Sequence, residues 1–258
     1  MDGFDTGTPH PARRYNYWLG GADHFAADRA SGDAIAAAFP TVVELARANR
    51  RFLRRSVEFL AGAGVRQFLD IGAGLPAPDS THEVAERIAP GSRVVGVDND
   101  PIVMARARPQ PGRTAYLEAD LRDPAALLAN PVLRESLDFS RPVGLLMLAV
   151  LHFVHDDAVA AAAVARLLAA LPPGSYLALS HGTMDFSTPE GVTAYEKMFA
   201  AGGTDVRARD RATLSGWLGG LEIVPPGLVP VGDWRPRDSP AGRPMSQDLG
   251  IYAVVGRV

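Results

Sequence analysis

The hydrophobic and polar positions along the chain predict strands and helices in alternation. Short apolar runs that can each form a buried strand lie at 68–71, 93–97, 114–118, 142–151 and 176–180. Segments with apolar residues at helical spacing separate these runs. Strands that alternate with helices predict a parallel sheet with right-handed crossovers. The run at 142–151 is the most hydrophobic, so it is expected at the centre of the sheet.

The pattern differs at the two ends of the chain. A helix with one apolar face is predicted over 44–60, before the first strand, and Asn49 lies on that apolar face. Near the other end, the strand-like runs 221–224 and 251–255 have no helix between them, only a Pro/Gly-rich segment. Without a helical crossover, these two runs are expected to pair antiparallel.

The same pattern suggests a division of the chain. Residues 1–12 are rich in Gly, Pro and Asp and are expected to form a disordered leader. Residues 13–258 are expected to form one domain, made of an N-terminal helical extension (13–64) and an α/β core (65–258).

The first predicted strand runs into a glycine turn, Gly72-Ala73-Gly74. A helix signal follows, because Ser80 and Glu83 have the spacing of a capping box. A strand, a glycine turn and a helix in this order present backbone N–H groups to a nucleotide-like ligand. Gly72, Ala73 and Gly74 are therefore candidate ligand-binding residues.

Polar residues stand at the ends of four successive strands: Asp70, Asp98, Asp120 and His152. Because ligands of open α/β sheets bind at the carboxyl ends of the strands, these side chains are expected along one rim. An alternative is that the aspartates cap the helices that follow. Capping explains Asp70 poorly, since the turn glycines and Pro76 precede the next helix.

The acidic strand ends favour an adenosine ligand. Asp98, followed by Asn99, can accept hydrogen bonds from both hydroxyls of a ribose. Asp120 can accept from the adenine amino group, beside an apolar contact from Leu121.

The adenosine can belong to either of two cofactors, NAD or S-adenosylmethionine. Gly72-x-Gly74-x-x-Ala77 satisfies the loose dinucleotide fingerprint, so an NAD-dependent oxidoreductase is one alternative. Asp70 would repel a pyrophosphate and attract the ammonium group of an amino acid. Pro76 interrupts the turn and delays the next helix, which makes a poorer pyrophosphate site. Both features favour S-adenosylmethionine.

Composition narrows the class of protein further. The 258 residues are 47% hydrophobic and 21% charged, which suits one large globular domain. The net charge of −3 gives no reason to expect nucleic-acid binding. The absence of cysteine excludes disulfides and thiolate catalysis, and no cluster of metal-ligand residues is seen. No membrane-spanning run or signal peptide is recognised, so the cytoplasm is the expected location. The sequence carries no signal for the oligomeric state.

An aromatic segment precedes the core. Three aromatic residues within four positions, Tyr15, Tyr17 and Trp18, are followed by Gly20-Gly21. One interpretation is a lid over a ligand, and the other is a short helix packed at the domain edge. Asn49 likewise has two alternatives, since a buried amide must find partners in the backbone nearby or in a ligand.

Several motifs resemble known methyltransferases. Asp70-Ile71-Gly72-Ala73-Gly74, Asp98-Asn99-Asp100 and Ala119-Asp120-Leu121 look like motifs of class I S-adenosylmethionine-dependent methyltransferases. The stretches 14–21, 49–53, 68–76 and 149–153 resemble, more narrowly, an actinobacterial S-adenosyl methyltransferase-like family. The common third glycine of the loop is replaced by Pro76, which that narrower family shares.

The resemblance implies a Rossmann-like class I methyltransferase fold. This is an α/β fold with a mostly parallel seven-stranded sheet, an antiparallel last strand, helices on both faces and an N-terminal helical lid. It implies S-adenosylmethionine as cofactor and S-adenosylhomocysteine as product. The cofactor-binding residues expected from the motifs and the resemblance together are Asp70, Gly72, Ala73, Gly74, Asp98, Asn99, Asp120, Leu121, Tyr15, Tyr17, Gly21 and Asn49.

The predicted function is methyl transfer to an unidentified small molecule. His152 is the first candidate for a general base, and His24 and His181 follow, while each of them can instead bond locally. Tyr15 and Tyr17 can contact the sulfonium through their aromatic faces. The acceptor pocket is expected from 13–30, 183–210 and 225–250, which carry no transferable motif. An alternative from another class is a sensor or regulatory protein that binds S-adenosylmethionine without catalysis.

Overall fold

The computed structural model describes residues 4–236 and 246–258, which are organised around a mostly parallel β-sheet. The strands run in the order β3-β2-β1-β4-β5-β8-β6, and β7 pairs with β8. Their bounds are β1 Gln67–Ile71, β2 Arg93–Asp98, β3 Thr114–Glu118, β4 Gly144–Leu148, β5 Tyr176–Gly182, β6 Glu222–Ile223, β7 Val229–Pro230 and β8 Ile251–Arg257.

Helices connect the strands, and three of them precede β1. Their bounds are α1 Pro11–Trp18, α2 Ala26–Ala38, α3 Val42–Gly62, α4 Thr81–Ile88, α5 Pro101–Arg106, α6 Pro124–Ala129, α7 Pro131–Ser136, α8 Asp157–Ala169, α9 Pro189–Ala200 and α10 Arg211–Trp217. Short 3-10 turns occupy Leu151–Phe153 and Ser246–Leu249. No helix in the described ranges is long and apolar enough to cross a membrane.

The first five strands pair in parallel, as the alternation of strands and helices predicts. Every residue of β1 and β4 is buried, which confirms the central position expected for the most hydrophobic run. Strand β4 is shorter than the apolar run at 142–151 because the chain leaves the extended conformation at Ala149, whose φ is 51°. The parallel register brings the ends of β1 to β5 to one edge of the sheet.

The C-terminal edge of the sheet is antiparallel. β8 lies between β5 and β6 and runs antiparallel to both, so the predicted pairing of 221–224 with 251–255 is confirmed. The path contains the seven strands expected, and β7 is an additional two-residue strand that pairs with β8. It remains short because proline lacks the N–H needed to extend a ladder.

Two hydrophobic cores cover the two faces of the sheet. Leu145 of β4 belongs to one core, while Leu146 belongs to the other. This division follows from the alternation of side chains along a strand. The second core includes Phe52 of α3 and Trp234, both fully buried. Helix α3 therefore anchors the N-terminal segment beneath the sheet, and it contains the helix predicted over 44–60.

The N-terminal segment continues from α3 across the carboxyl-end edge of the sheet. Residues 1–3 of the predicted leader lie outside the described residues, and α1 begins at Pro11 within it. His10 caps α1, and the backbone oxygen of Asp5 accepts a hydrogen bond from Arg13 at 3.2 Å. Helices α1 and α2, which pack on each other, are called the roof below.

Candidate functional site

A cavity of about 850 Å³ lies between the roof and the carboxyl ends of the parallel strands. Sites for small molecules typically have volumes of about 300–1,000 Å³, so this cavity is large enough for a ligand of substantial size. The predicted residues that line it are Tyr15, Asn49, Asp70, Gly72, Ala73, Gly74, Asp98, Asn99, Asp120, Leu121 and His152. Strand ends from β1 to β4 thus contribute to one site.

The two glycines of the turn after β1 differ in how closely other protein atoms approach them. Gly72 has a φ of 77°, and a Cβ atom there would lie 2.7 Å from Cγ2 of Val150. Gly74 has a φ of 67°, yet a Cβ atom there would meet nothing within 4 Å. Gly72 is therefore required by packing, whereas the space beside Gly74 is open to a ligand.

Asp98 holds this turn against the end of β2. Its two carboxylate oxygens accept hydrogen bonds from the backbone N–H groups of Gly74, at 2.9 Å, and Asp100, at 3.0 Å. Burial raises the pKa of the Asp98 carboxyl, because the charged form loses its water. Each oxygen keeps a second lone pair, so the carboxylate can still accept from a ligand.

Asp70 is a buried carboxylate next to a guanidinium. It accepts a hydrogen bond from Oγ1 of Thr81 at 2.6 Å, and burial raises its pKa. The nearby Arg50 opposes that rise, and its guanidinium is held by the backbone oxygens of Ala77 and Pro78. The cavity wall thus offers a carboxylate for a cation and a guanidinium for an anion.

Asp120 is the most exposed of the three strand-end carboxylates that line the cavity. Arg122 donates to both of its oxygens, and these hydrogen bonds hold the pKa of Asp120 below its usual range. A ligand amino group that binds Asp120 must share this carboxylate with Arg122.

A chain of hydrogen bonds connects the roof to the end of β4. Ala149 donates to Oγ of Ser180 at 2.9 Å, and Ser180 donates to Oδ1 of Asn49 at 2.6 Å. Asn49 donates in turn to the hydroxyl of Tyr15 at 3.1 Å, which donates to the backbone oxygen of Ala46. Asn49 therefore finds protein partners while its side chain still lines the cavity.

Tyr17 and Gly21, which were also expected to contact the cofactor, are not in the cavity wall. The hydroxyl of Tyr17 donates to Asp33 at 2.8 Å on the exposed side of the roof. A Cβ atom on Gly21 would lie 2.3 Å from the side-chain amide of Asn16. Both residues join parts of the roof, because the aromatic segment is helical and only part of its surface faces inward.

Buried ion pairs connect the roof to the core. Arg13 donates to the Asp100 carboxylate at 3.1 Å and lies 3.7 Å from that of Asp28. Asp28 is fully buried and accepts from the backbone of His10 at 2.9 Å. Trp18 joins the two roof helices, because its indole N–H donates to the oxygen of Gly32 at 3.3 Å.

A second part of the cavity lies beyond the ends of β4 and β5 and is called the second lobe. Its apolar lining includes Phe153, Met184, Met198 and Val206, and its polar lining includes Arg14, His152, Thr183, Ser187, Tyr195, Thr204 and Asp205. Arg14 is buried and forms an ion pair with Asp205, which joins the roof to the segment before α10. The first lobe, in contrast, is formed by the ends of β1 to β3.

Of the three histidines proposed as bases, His152 lines the cavity, and the other two do not. His24 bonds the oxygen of Gly21 within the roof, at 3.0 Å. His181 is buried between Arg209, at 3.1 Å, and the oxygen of Gly182, at 2.8 Å. Burial, together with Arg209 and Arg14, lowers the pKa of His152 to about 3, so its ring is neutral at pH 7.

Sequence reasoning missed two cavity residues, Arg14 and Arg50. Arg50 lies in the stretch 49–53, but it was given no role from the sequence. In the structure its guanidinium donates to the backbone oxygens of Ala77 and Pro78, in the loop after the glycine turn. The one signal available was the position of Arg14 next to Tyr15 in the segment interpreted as a lid.

The chain is similar to known proteins over nearly its whole length. A family model described as S-adenosyl methyltransferase matches residues 1–258. The chain is similar to a DUF574 family protein from Streptomyces avermitilis MA-4680, with 45% identity, a TM-score of 0.90 and 98% of each chain covered. It is also similar to a Thermobifida fusca YX protein described as a candidate methyltransferase, with 37% identity, a TM-score of 0.90 and coverage of 99% of this chain and 97% of that one. A search of curated proteins found no match.

Proposed function

Because the chain belongs to the S-adenosyl methyltransferase family, we propose that it transfers the methyl group of S-adenosylmethionine to a small molecule bound in the second lobe. One observation carries this proposal. A single cavity joins the acidic ends of β1 to β3 to a second lobe beyond β4 and β5, which has both apolar and polar lining residues. A methyltransferase needs two such adjoining sites, since the donor and the acceptor must be bound together.

The first lobe has the chemistry to hold the methionine end of the donor. Asp70 is a buried carboxylate that would pair with the ammonium group. Arg50, fixed by the loop after the turn, would bind the carboxylate. The open space beside Gly74 leaves room for the backbone of the ligand to approach.

The rest of the first lobe has the chemistry to hold the adenosine end. Asp98 and Asn99 would bind the ribose hydroxyls, and the spare lone pairs of the Asp98 carboxylate fit that role. Asp120 and Leu121 would meet the adenine from the next strand. Tyr15 and Asn49 reach the cavity from the roof side, so they would close the pocket over the donor.

The sulfonium of S-adenosylmethionine supplies an electrophilic methyl group. The contribution of the protein is to align the acceptor with that group and to exclude water, an effect of about 7–11 kcal/mol in favourable cases. The chain of hydrogen bonds from Ala149 through Asn49 to Tyr15 would help this alignment, because it fixes three residues of the cavity wall relative to one another.

Calorimetric titration with S-adenosylmethionine, S-adenosylhomocysteine and NAD tests the donor site. We expect both sulfur compounds to bind and NAD not to bind. Binding of NAD alone would contradict the assignment of the first lobe. Transfer of a labelled methyl group to a metabolite extract tests catalysis, and binding without any labelled product would favour the alternative of a non-catalytic sensor.

A further inference from the structure

Two titratable groups of the second lobe are bonded to other protein groups. The hydroxyl of Tyr195 donates to the oxygen of Val206 at 2.8 Å and accepts from the N–H of Ala208. The carboxylate of Asp205 pairs with the buried guanidinium of Arg14, which favours its charged form. His152 is the titratable group of this lobe that was expected to act as a base.

The hydrogen bonding of His152 makes its second ring nitrogen a donor. The N–H of Gly182 points to Nδ1 of His152 at 3.4 Å, so Nδ1 is the acceptor of that bond. A neutral imidazole carries its proton on the other nitrogen, which is Nε2. Nε2 has no partner among the described residues, and the ring lies in the cavity wall. His152 therefore offers an N–H group to a ligand.

The charges around His152 keep this state fixed near neutral pH. Arg14 faces it from the roof, Arg209 faces it from the segment before α10, and both lower its pKa. His181 of β5 lies with its ring centroid 5.6 Å away, and Arg207 donates its backbone N–H to the oxygen of His152. Both arginines are paired with carboxylates, Arg14 with Asp205 and Arg209 with Asp157. Burial is the largest cause of the lowered pKa of His152, and Arg209 and Arg14 add to it, so the ring stays neutral near pH 7.

From these contacts we infer that the acceptor is a small carboxylic acid, bound as its carboxylate against His152 and Arg14, and that the product is a methyl ester. This inference rests on the proposed methyl transfer. A carboxylate oxygen forms a bond to the methyl carbon while the carbon–sulfur bond breaks, and the electron pair of that bond remains on sulfur. The positive sulfonium and the negative carboxylate both become neutral, and no proton is released.

A carboxylic acid differs from other classes of methyl acceptor because its methylation at pH 7 requires no proton acceptor in the lobe. A phenol has a pKa of about 10 and an amine about 10.4, so both are protonated at pH 7 and must lose a proton to react and yield a stable product. A carboxylic acid has a pKa of about 4 and is already ionised. The lobe supplies an N–H group and a guanidinium, which suit an oxyanion, and its apolar side chains suit an organic remainder.

The decisive experiment labels the products and tests how they break down. The protein is incubated with S-adenosylmethionine tritiated on its methyl group and an actinobacterial metabolite extract, and the labelled products are treated with alkali. Methyl esters release volatile labelled methanol, whereas N-, S- and ether O-methyl products do not. We expect most of the label to be released. Label that survives alkali, or no labelled product from a protein that binds S-adenosylmethionine, would overturn the inference.

A matched pair of variants tests the place of Arg14. Arg14→Met should raise the extract concentration needed for half-maximal rate at least ten-fold, and by a larger factor than it weakens the calorimetric affinity for S-adenosylmethionine. Arg207→Met is the control, because Arg207 does not line the cavity, and it should change neither quantity. A folded Arg14→Met variant whose donor affinity falls by as large a factor as its affinity for the extract would place this arginine in the donor site and contradict the inference. Failure of the unmodified protein to bind S-adenosylmethionine would instead contradict the proposed function.

Histidine nitrogen NMR provides a readout that does not depend on activity. We expect His152 to remain neutral with its proton on Nε2 from pH 5 to pH 8, assigned by comparison with a His152→Gln variant. An imidazolium, or a proton on Nδ1, would overturn the inference. At saturating S-adenosylmethionine, kcat/KM for the extract should also be level between pH 6 and 8, and a rise that follows the ionisation of one group would overturn it as well.

Discussion

At the scale of single residues, the strand-end carboxylates have opposite effects on stability and on the proposed donor binding. Asp70 and Asp98 are both buried, and burial raises the pKa of each. A carboxyl group whose pKa is higher in the folded than in the unfolded state lowers the stability of the fold at any pH where the group is ionised in both states. The ligand-free protein therefore carries charged carboxylates at the carboxyl ends of these strands that lower its free energy of unfolding.

Asp70→Asn tests this conflict. The amide keeps an acceptor for Thr81 and removes a buried charge, so the ligand-free variant should gain about 1 kcal/mol of unfolding free energy at pH 7. The gain should shrink as the pH falls below the raised pKa, since Asp70 is then protonated in the original protein. Affinity for S-adenosylmethionine should fall at least ten-fold because the ammonium loses its partner. Denaturant unfolding at several pH values and calorimetry measure the two effects, and a variant with unchanged affinity would refute the role of Asp70.

Asp98→Ala should weaken S-adenosylmethionine binding at least ten-fold, because it removes a charged acceptor for the ribose and loosens Gly74. Asp123→Ala is the matched control. Asp123 caps α6 outside the cavity, so its loss should cost about 1 kcal/mol of stability and leave binding intact. Calorimetry on both folded variants separates binding from capping. Equal affinities would show that Asp98 only supports the turn.

Prediction from the sequence was least complete for the individual residues of the site. The strand-end residues could be predicted, since a polar residue directly after a buried strand has its position fixed by the sheet. Arg14 and Arg50 could not, because their roles depend on how separate elements meet: Arg14 is paired with Asp205, far along the chain. Tyr17 and Gly21 were assigned to the cavity together with Tyr15 but lie outside it. Tyr17 lies on the exposed side of α1, and Gly21, beyond the end of α1, packs against the side chain of Asn16.

At the scale of elements, the roof is held by buried charges together with a small apolar cluster, in which Ala12 and Phe25 pack against Leu75, Ile102 and Val103. Arg13 bridges the carboxylates of Asp28 and Asp100, and all three side chains are buried. A buried ion pair contributes little net stability when intact but costs about 3–5 kcal/mol when one partner is removed. The roof should therefore open as a unit when Arg13 is lost.

Arg13→Ala should increase amide hydrogen exchange across 11–38 and reduce the affinity for S-adenosylmethionine, while the exchange of β1 and β4 stays slow. Arg29→Ala is the control, since Arg29 lies on the exposed side of α2. Exchange measured by mass spectrometry distinguishes the two. If Arg13→Ala and Arg29→Ala exchange alike, the buried charges do not hold the roof.

Most elements themselves follow from the sequence. The five parallel strands and the antiparallel end could be predicted because hydrophobic periodicity and the presence or absence of a crossover helix determine them. Strand β7 could not, since Val229–Pro230 lies in a Pro/Gly-rich segment and pairs with β8 only through tertiary packing. The predicted boundary between leader and domain stays a prediction.

At the scale of the whole molecule, the donor would connect parts of the chain that are far apart in sequence. The cavity wall includes the roof, α3, the ends of β1 to β5 and the turn before β8. A ligand that binds only the folded state stabilises it by about 2.7 kcal/mol at a concentration one hundred times its Kd. Because the wall draws on so many elements, this stabilisation should apply to the unfolding of the domain as a whole.

S-adenosylmethionine at one hundred times its Kd should raise the melting temperature by about 5–10 °C, given about 2–4 °C per kcal/mol for a domain of this size. NAD at the same concentration should leave it unchanged. Differential scanning calorimetry measures both. Two separate transitions, of which only one shifts, would show that the roof unfolds independently of the core.

The fluorescence of the three tryptophans in this chain can be used to follow ligand binding. Trp18 sits in the roof at the cavity wall, whereas Trp234 is fully buried among Phe52 and Phe59. Because the emission wavelength of an indole depends on the polarity around it, a ligand entering the cavity should shift the fluorescence of Trp18 and leave that of Trp234 constant. Trp217, stacked under Arg209 beside His181, reports on the far side of the second lobe. Single Trp→Phe replacements would separate these signals, so the filling of the two lobes could be followed in real time without an attached dye.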